Sequence, residues 1–119
     1  MNPGQEDLTI ETVDLPSGTR IIKPSGVLTI RTLFDFQNMA RRETRSVIID
    51  LADVAYMDSA GLGCVIGLFS SCQGKGRGFG LINVAGRIQT LFQVAHVDTL
   101  LPCFASVEDA ETAFAKIRP

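Results

Sequence analysis

The sequence predicts a single α/β domain with a mixed, mostly parallel sheet of four to five strands and flanking helices. Three observations carry that expectation. Val47-Ile48-Ile49 is an apolar β-branched run bounded by charge, the pattern of a buried strand. Leu62, Val65, Ile66 and Phe69 follow at spacing i, i+3, i+4, i+7, which is one buried helical face. Along the rest of the chain, segments of strand length alternate with helical ones in the order ββαβαβαβα. Such alternation requires crossover connections and therefore parallel strands, with a hairpin at one edge.

The elements follow in order. Residues 1–7 are polar, with Pro and Gly, and are expected to form a disordered tail before a domain over 8–119. Leu8, Ile10, Val13 and Leu15 alternate imperfectly, as an edge strand over Leu8–Leu15. Pro16-Ser17-Gly18 turns the chain into a second strand over Thr19–Lys23, which Pro24-Ser25-Gly26 should break or bend. Val27-Leu28 leads to Thr29, the expected N-cap of a helix. From there Ile30, Leu33, Phe34 and Gln37 keep helical spacing to about Arg42. Arg41, Arg42 and Arg45 suit that helix's negative end as a solvated terminus.

The central strand, Val47–Leu51, closes on a loop built by Asp50 and Asp53. After the central helix, Gly74-Lys75-Gly76-Arg77-Gly78 is a flexible stop. Phe79–Asn83 reads as a short buried strand, and Gly86–Ala95 as a helix with Ile88, Leu91, Phe92 and Ala95 inward. Val97–Thr99 connects to a last strand over Leu100–Phe104, marked as an edge by Pro102. Ser106, with Asp109 three residues on, caps a final helix that turns Ala110, Ala113, Phe114 and Ile117 inward.

Whole-chain properties narrow the function. A chain of 119 residues makes one domain, large enough to bury roughly two-thirds of the surface its unfolded chain exposes. A net charge of −2 offers no electrostatic footprint for nucleic acid. No apolar run approaches the ~20 residues of a membrane span, and the N-terminus has no signal-peptide core. The three cysteines form no CxxC pair, so neither a disulfide framework nor a zinc site is expected. Cys64 and Cys72 are separated by ~12 Å of helical rise, too far to bridge, and read as small core residues. A reducing cytoplasm is the expected location.

The chemistry concentrates at Asp58-Ser59-Ala60-Gly61, where the chain leaves the sheet and starts a helix. A helix's first turn has unpaired N–H groups and the positive end of the dipole. A serine hydroxyl there can cap the helix, and a phosphate on it meets donors already pointing its way. From Ala60 to Gly74 no residue is charged, so this helix is covered on both sides or exposes a bare patch for a partner. Its outer stripe (Ala60, Gly63, Cys64, Gly67), with the corner of Asp58, Ser59 and Gly61 and with Thr29, is the expected partner surface.

Other readings of the same residues fit less well. Gly61 to Gly67 spells GxGxxxG, with Ile66 where the dinucleotide fingerprint needs its third glycine. Gly76 stands where a Walker loop starting at Gly74-Lys75 needs Ser or Thr. The glycines therefore read as places where the helix lies close to a neighbour or a partner. Met57 replaces the first glycine of a GxSxG nucleophile elbow, and His96 is the one histidine available as a base. Asp50 and Asp53 read as loop builders, not as a metal or phosphoacceptor cluster. Asp58 reads as a cap that also helps present Ser59. No catalytic, cofactor or metal site is expected, and no enzymatic activity.

The Val47–Leu51 strand followed by Tyr56-Met57-Asp58-Ser59-Ala60-Gly61-Leu62-Gly63 resembles the signature of the STAS domain, the anti-sigma factor antagonist family. Softer matches are Gly26-Val27-Leu28 before the first helix, Leu91-Phe92 in the third, and Ser106–Ala110 opening the last. The resemblance implies that Ser59 is the phosphoacceptor, with Asp58 beside it in the site. It implies that the unphosphorylated protein binds an anti-sigma factor that doubles as a serine kinase and so frees a sigma factor. A separate serine phosphatase resets the switch. Many members carry an aspartate where this chain has Thr29, so the partner contact at that position is expected to differ. The short tails fit a stand-alone antagonist, as a monomer or weak dimer. The alternatives are a small-ligand (nucleotide or lipid) binding STAS domain and a partner subunit of a membrane lipid transporter.

Overall fold

The computed structural model describes residues 7–117, so the tail expected over 1–7 lies outside the described residues except for Asp7. The chain runs β1 (Leu8–Asp14), β2 (Arg20–Leu28), α1 (Leu33–Arg42), β3 (Val47–Asp50), β4 (Val54–Met57), α2 (Ser59–Gly74), β5 (Phe79–Ile82), α3 (Gly86–Val94), β6 (Cys103–Phe104) and α4 (Val107–Ala115). The sheet is ordered β1-β2-β3-β5-β6, with β4 paired to β2. Only the β1–β2 hairpin is antiparallel, as the sequence predicts.

Strand alternation sorts the core into two layers. Val47 and Ile49 of β3, and Phe79 and Leu81 of β5, face one side with Phe36 of α1, Leu62, Val65 and Phe69 of α2, and Ile88 and Phe92 of α3. Ile48 and Ile82 face the other side, under Ala110 and Phe114 of α4. Two flat elements pack closely only where side chains leave room. A Cβ on Gly78 would lie 2.4 Å from the Phe114 ring, and one on Gly80 2.8 Å from the Phe104 ring. The missing side chains let α4 settle on the sheet.

Several expectations are corrected, each for a physical reason. Pro24-Ser25-Gly26 does not break β2, which continues to Leu28. Gly26 N–H donates to Asp53 O at 3.0 Å, so the nitrogen of Pro24, two residues earlier, faces the same edge. That edge at Pro24 lies between the stretch paired to β3 (20–22) and the one paired to β4 (26–28), where no strand needs its N–H. The bend survives as a register shift at Gly26/Val27, where Gly26 has φ +116°. The strand β4 was not expected. It continues the line of β3 along β2 after the loop at Ala52-Asp53.

The first helix starts at Leu33, with Thr32 and not Thr29 at its N-cap position. Its buried residue is Phe36, while Ile30 and Phe34, read as part of the helical spacing, are 69% and 67% exposed. At two helix C-termini, Ala95 and Ile117, expected inward, fall beyond α3 and α4 and are exposed. The last strand is shorter than predicted, although Leu101 is buried and Pro102 O accepts from Leu81 N–H.

Candidate functional site

The site is built where β2, β4 and α2 meet. β4 ends at Met57, whose buried side chain anchors the chain in the core one residue before the junction. Asp58 then takes an extended conformation and caps α2: its Oδ1 accepts from Gly61 N–H at 2.9 Å. Its other oxygen, Oδ2, accepts from Ile30 N–H at 3.1 Å, and its own N–H donates to Leu28 O. The sequence allowed a serine cap, but Asp58 fills that role. Ser59 is thereby the first residue of the helix, exposed, and its hydroxyl is bonded to no described residue.

Gly61, expected at the partner surface, is instead buried against β2, and its lack of a side chain lets α2 lie close on the sheet. A Cβ there would sit 2.1 Å from Leu28 O. Once the first turn is pinned, the helix presents Leu62, Val65, Leu68, Phe69 and Cys72 to the core. Gly63 and Gly67 point the other way and are exposed, with nothing within 4 Å of a Cβ on either. Ala60 and Cys64 are half-buried between them.

This stripe is one wall of an open groove of about 650 Å³ between α1 and α2. The other wall is Ile30, Leu33, Gln37, Ala40 and Arg41, and Leu68 and Ser71 lie at its inner and far ends. Only Arg41 among the lining residues is ionisable to a cation, so the groove is uncharged along most of its length. Burial, and secondarily the Asp58 carboxylate, push the Cys64 thiol above its ordinary pKa. Cys64 is therefore a neutral wall residue at pH 7, not a nucleophile. Ile30 and the neighbouring Phe34 were missed as surface residues. The signal that could have found them is the charge-poor run Leu28-Thr29-Ile30 directly before a helix that already had Leu33 and Phe36 for its inner face.

The remaining candidates are dispersed. Thr29 lies at the groove's mouth in the turn before α1, and its Oγ1 accepts from Arg31 N–H at 3.3 Å. Asp50 is bonded to Ala52 N–H and to the Asn83 amide, as a loop builder. His96 is exposed just after α3, with φ +61°. Among the described residues no cluster of three His, Cys, Asp or Glu could hold a metal, and no helix is long and apolar enough to cross a membrane.

A family model described as STAS domain matches residues 12–110. An anti-sigma-B factor antagonist of Staphylococcus epidermidis is 28% identical over 99 residues, covering 80% of this chain and 91% of that protein. The crystal structure of an anti-sigma factor antagonist from Mycobacterium paratuberculosis has the same fold, with a TM-score of 0.78 at 21% identity over 91% of this chain and 94% of that one. The Bacillus cell fate determinant SpoIIAA in its phosphorylated form gives a TM-score of 0.65 at 16% identity, covering 92% of this chain and all (100%) of that one.

Proposed function

The chain belongs to the STAS domain family, and on that premise we propose that it is an anti-sigma factor antagonist whose partner binding is switched by phosphorylation of Ser59. In its unphosphorylated form it binds an anti-sigma factor that is also a serine kinase, through the α1–α2 groove and the Ser59 corner. A serine phosphatase reverses the modification. The observation that carries this reading is a free, exposed hydroxyl at the first residue of α2, beside a groove whose lining is uncharged except for Arg41.

The physics of the switch is local. A phosphoserine brings about −1.5 to −2 charges at pH 7. Within the domain the N-terminus of α2 offsets this by about 0.3–1 kcal/mol, while the carboxylate of Asp58, the residue before it, opposes it. These contributions have opposite signs, so the isolated fold is little changed. Against a partner that accepted a neutral hydroxyl, the dianion loses hydration and meets unpaired groups, a penalty of several kcal/mol.

The test uses a serine-kinase anti-sigma factor from the same genome. Incubation with ATP should label Ser59, and peptide mapping locates the phosphate. By titration calorimetry, Ser59→Ala should bind constitutively. Ser59→Asp and the phosphorylated protein should lose about 3 kcal/mol, more than a hundredfold, with near-native circular dichroism. Label on Thr29, Thr32 or Ser70 with Ser59 untouched, or unchanged affinity after phosphorylation, overturns the proposal. Nucleotide or lipid bound to the purified protein in place of kinase binding would favour a ligand-binding domain.

A further inference from the structure

Capping α2 requires one acceptor, and Asn or Ser serves an N-cap about as well as Asp. Asp58 uses its second oxygen for something else. Oδ2 reaches the Ile30 N–H, on the turn between β2 and α1, at 3.1 Å. The bonds of Thr29 and Thr32 run within the turn and to β2. Thr32 Oγ1 accepts from Thr29 N–H at 3.0 Å and donates to Val27 O at 2.7 Å, and Thr32 N–H donates to Thr29 O. Of these bonds only the one to Asp58 crosses to α2. It is charge-assisted, the stronger class of hydrogen bond.

What it holds in place is an apolar side chain in solvent. Ile30 is 69% exposed, and it lines the groove together with Leu33, Ala60, Gly63 and Cys64, none of them charged at neutral pH. Thr29, beside it, carries no charge, and its hydroxyl is engaged by Arg31 N–H. The mouth of the groove next to Ser59 is thus complementary to an apolar group, since none of these lining residues carries a charge.

We propose that Asp58 is a positioning residue that holds Ile30 at the mouth of the groove, and that Ile30 selects a partner presenting an apolar side chain there. The proposal rests on the groove being the surface that binds the anti-sigma factor. Its distinctive consequence is coupling: Asp58 and Ile30 act as one unit in recognition although they are remote in sequence.

The experiment has two arms. In the first, amide spectra and solvent exchange are measured for wild type, Asp58→Asn and Asp58→Ser, both of which keep a cap. The Ile30 amide should move upfield and lose protection in each variant, while the Gly61 amide, which keeps an acceptor, should shift but stay protected. An unmoved Ile30 amide overturns the proposal. In the second arm, affinity for the kinase that labels Ser59 is measured in a double-mutant cycle. Ile30→Ala and Asp58→Asn should each weaken binding about tenfold, and the double variant should lose little more than either alone. Additive losses overturn the positioning role while leaving the switch standing. A wild type that binds no such kinase overturns the switch itself, and the selecting role of Ile30 with it.

Discussion

Gly61 and Gly67 lie on the same helix in similar sequence surroundings, yet they serve opposite ends. At Gly61 the backbone of β2 comes so near that a Cβ would be 2.1 Å from Leu28 O; at Gly67 it would meet nothing within 4 Å. Gly78 under the Phe114 ring of α4 and Gly80 beside the Phe104 ring of β6 are likewise hemmed in, by side chains, and Gly63 repeats the second case. One set of small residues is used up by folding. The other set leaves open space where a side chain would stand, along the groove that Cys64 and Leu68 also line. A glycine that nothing fills, inside a helix, has a cost of roughly 0.5–1 kcal/mol relative to Ala. Packing within the domain gives no reason for it, and the docking surface proposed above would.

The sharpest way to break this contrast is Gly61→Ala. The obstructing atom is a backbone carbonyl, which cannot swing aside as a side-chain tip can. Either the first turn of α2 lifts, straining the Asp58–Gly61 cap, or β2 shifts at its end. Overpacking of this kind costs about 1–3 kcal/mol and at times more. The thermal midpoint should fall by several degrees. A variant as stable as wild type would mean that the close approach is not required.

The open side should respond in the opposite manner to a bulky charge. Gly67→Arg places a long cation in the groove without touching the core, so stability should stay within ~0.5 kcal/mol of wild type. Kinase binding should fall by about a hundredfold or more, since a buried unpaired charge costs at least 2–3 kcal/mol. A large loss of stability with binding intact among the folded fraction would reverse the assignment of the two sides.

This contrast also marks how far the sequence could be read. The hairpin, the parallel order and the strand–helix junction at Asp58-Ser59 were legible because periodicity and capping are local properties. The alternation of Val47, Ile48 and Ile49 between two buried faces is one example. What failed depended on partners distant in sequence. Val54–Met57 pairs with β2 only because β3 has already aligned the chain, and four residues with two exposed ones carry little pattern of their own. Reading Thr29 as a cap started α1 too early and counted Ile30 into its helical spacing. The turn that exposes Ile30 is tied by Asp58, which no local rule connects to residue 30. The uncharged run from Ala60 to Gly74 announced either a doubly covered helix or a bare patch. Choosing between them needed the neighbours of each glycine.

The mildest substitution separates the two uses of glycine most cleanly, because it removes size and charge from the comparison. Gly67→Ala adds one methyl to an exposed helical position with open space around it. In the folded state it strains nothing, and in the unfolded chain it removes backbone freedom, so stability should rise by about 0.5–1 kcal/mol. The same methyl at Gly61 should lower stability, so the identical change has opposite signs on one helix. Chemical denaturation with a shared m-value would read both, since a changed midpoint at constant m reports stability alone. At the partner surface the methyl intrudes on the groove and should weaken kinase binding modestly, leaving a variant that is more stable and less functional. If Gly67→Ala destabilises the domain, the open side is occupied by something in the folded protein, and the groove is a packing surface after all.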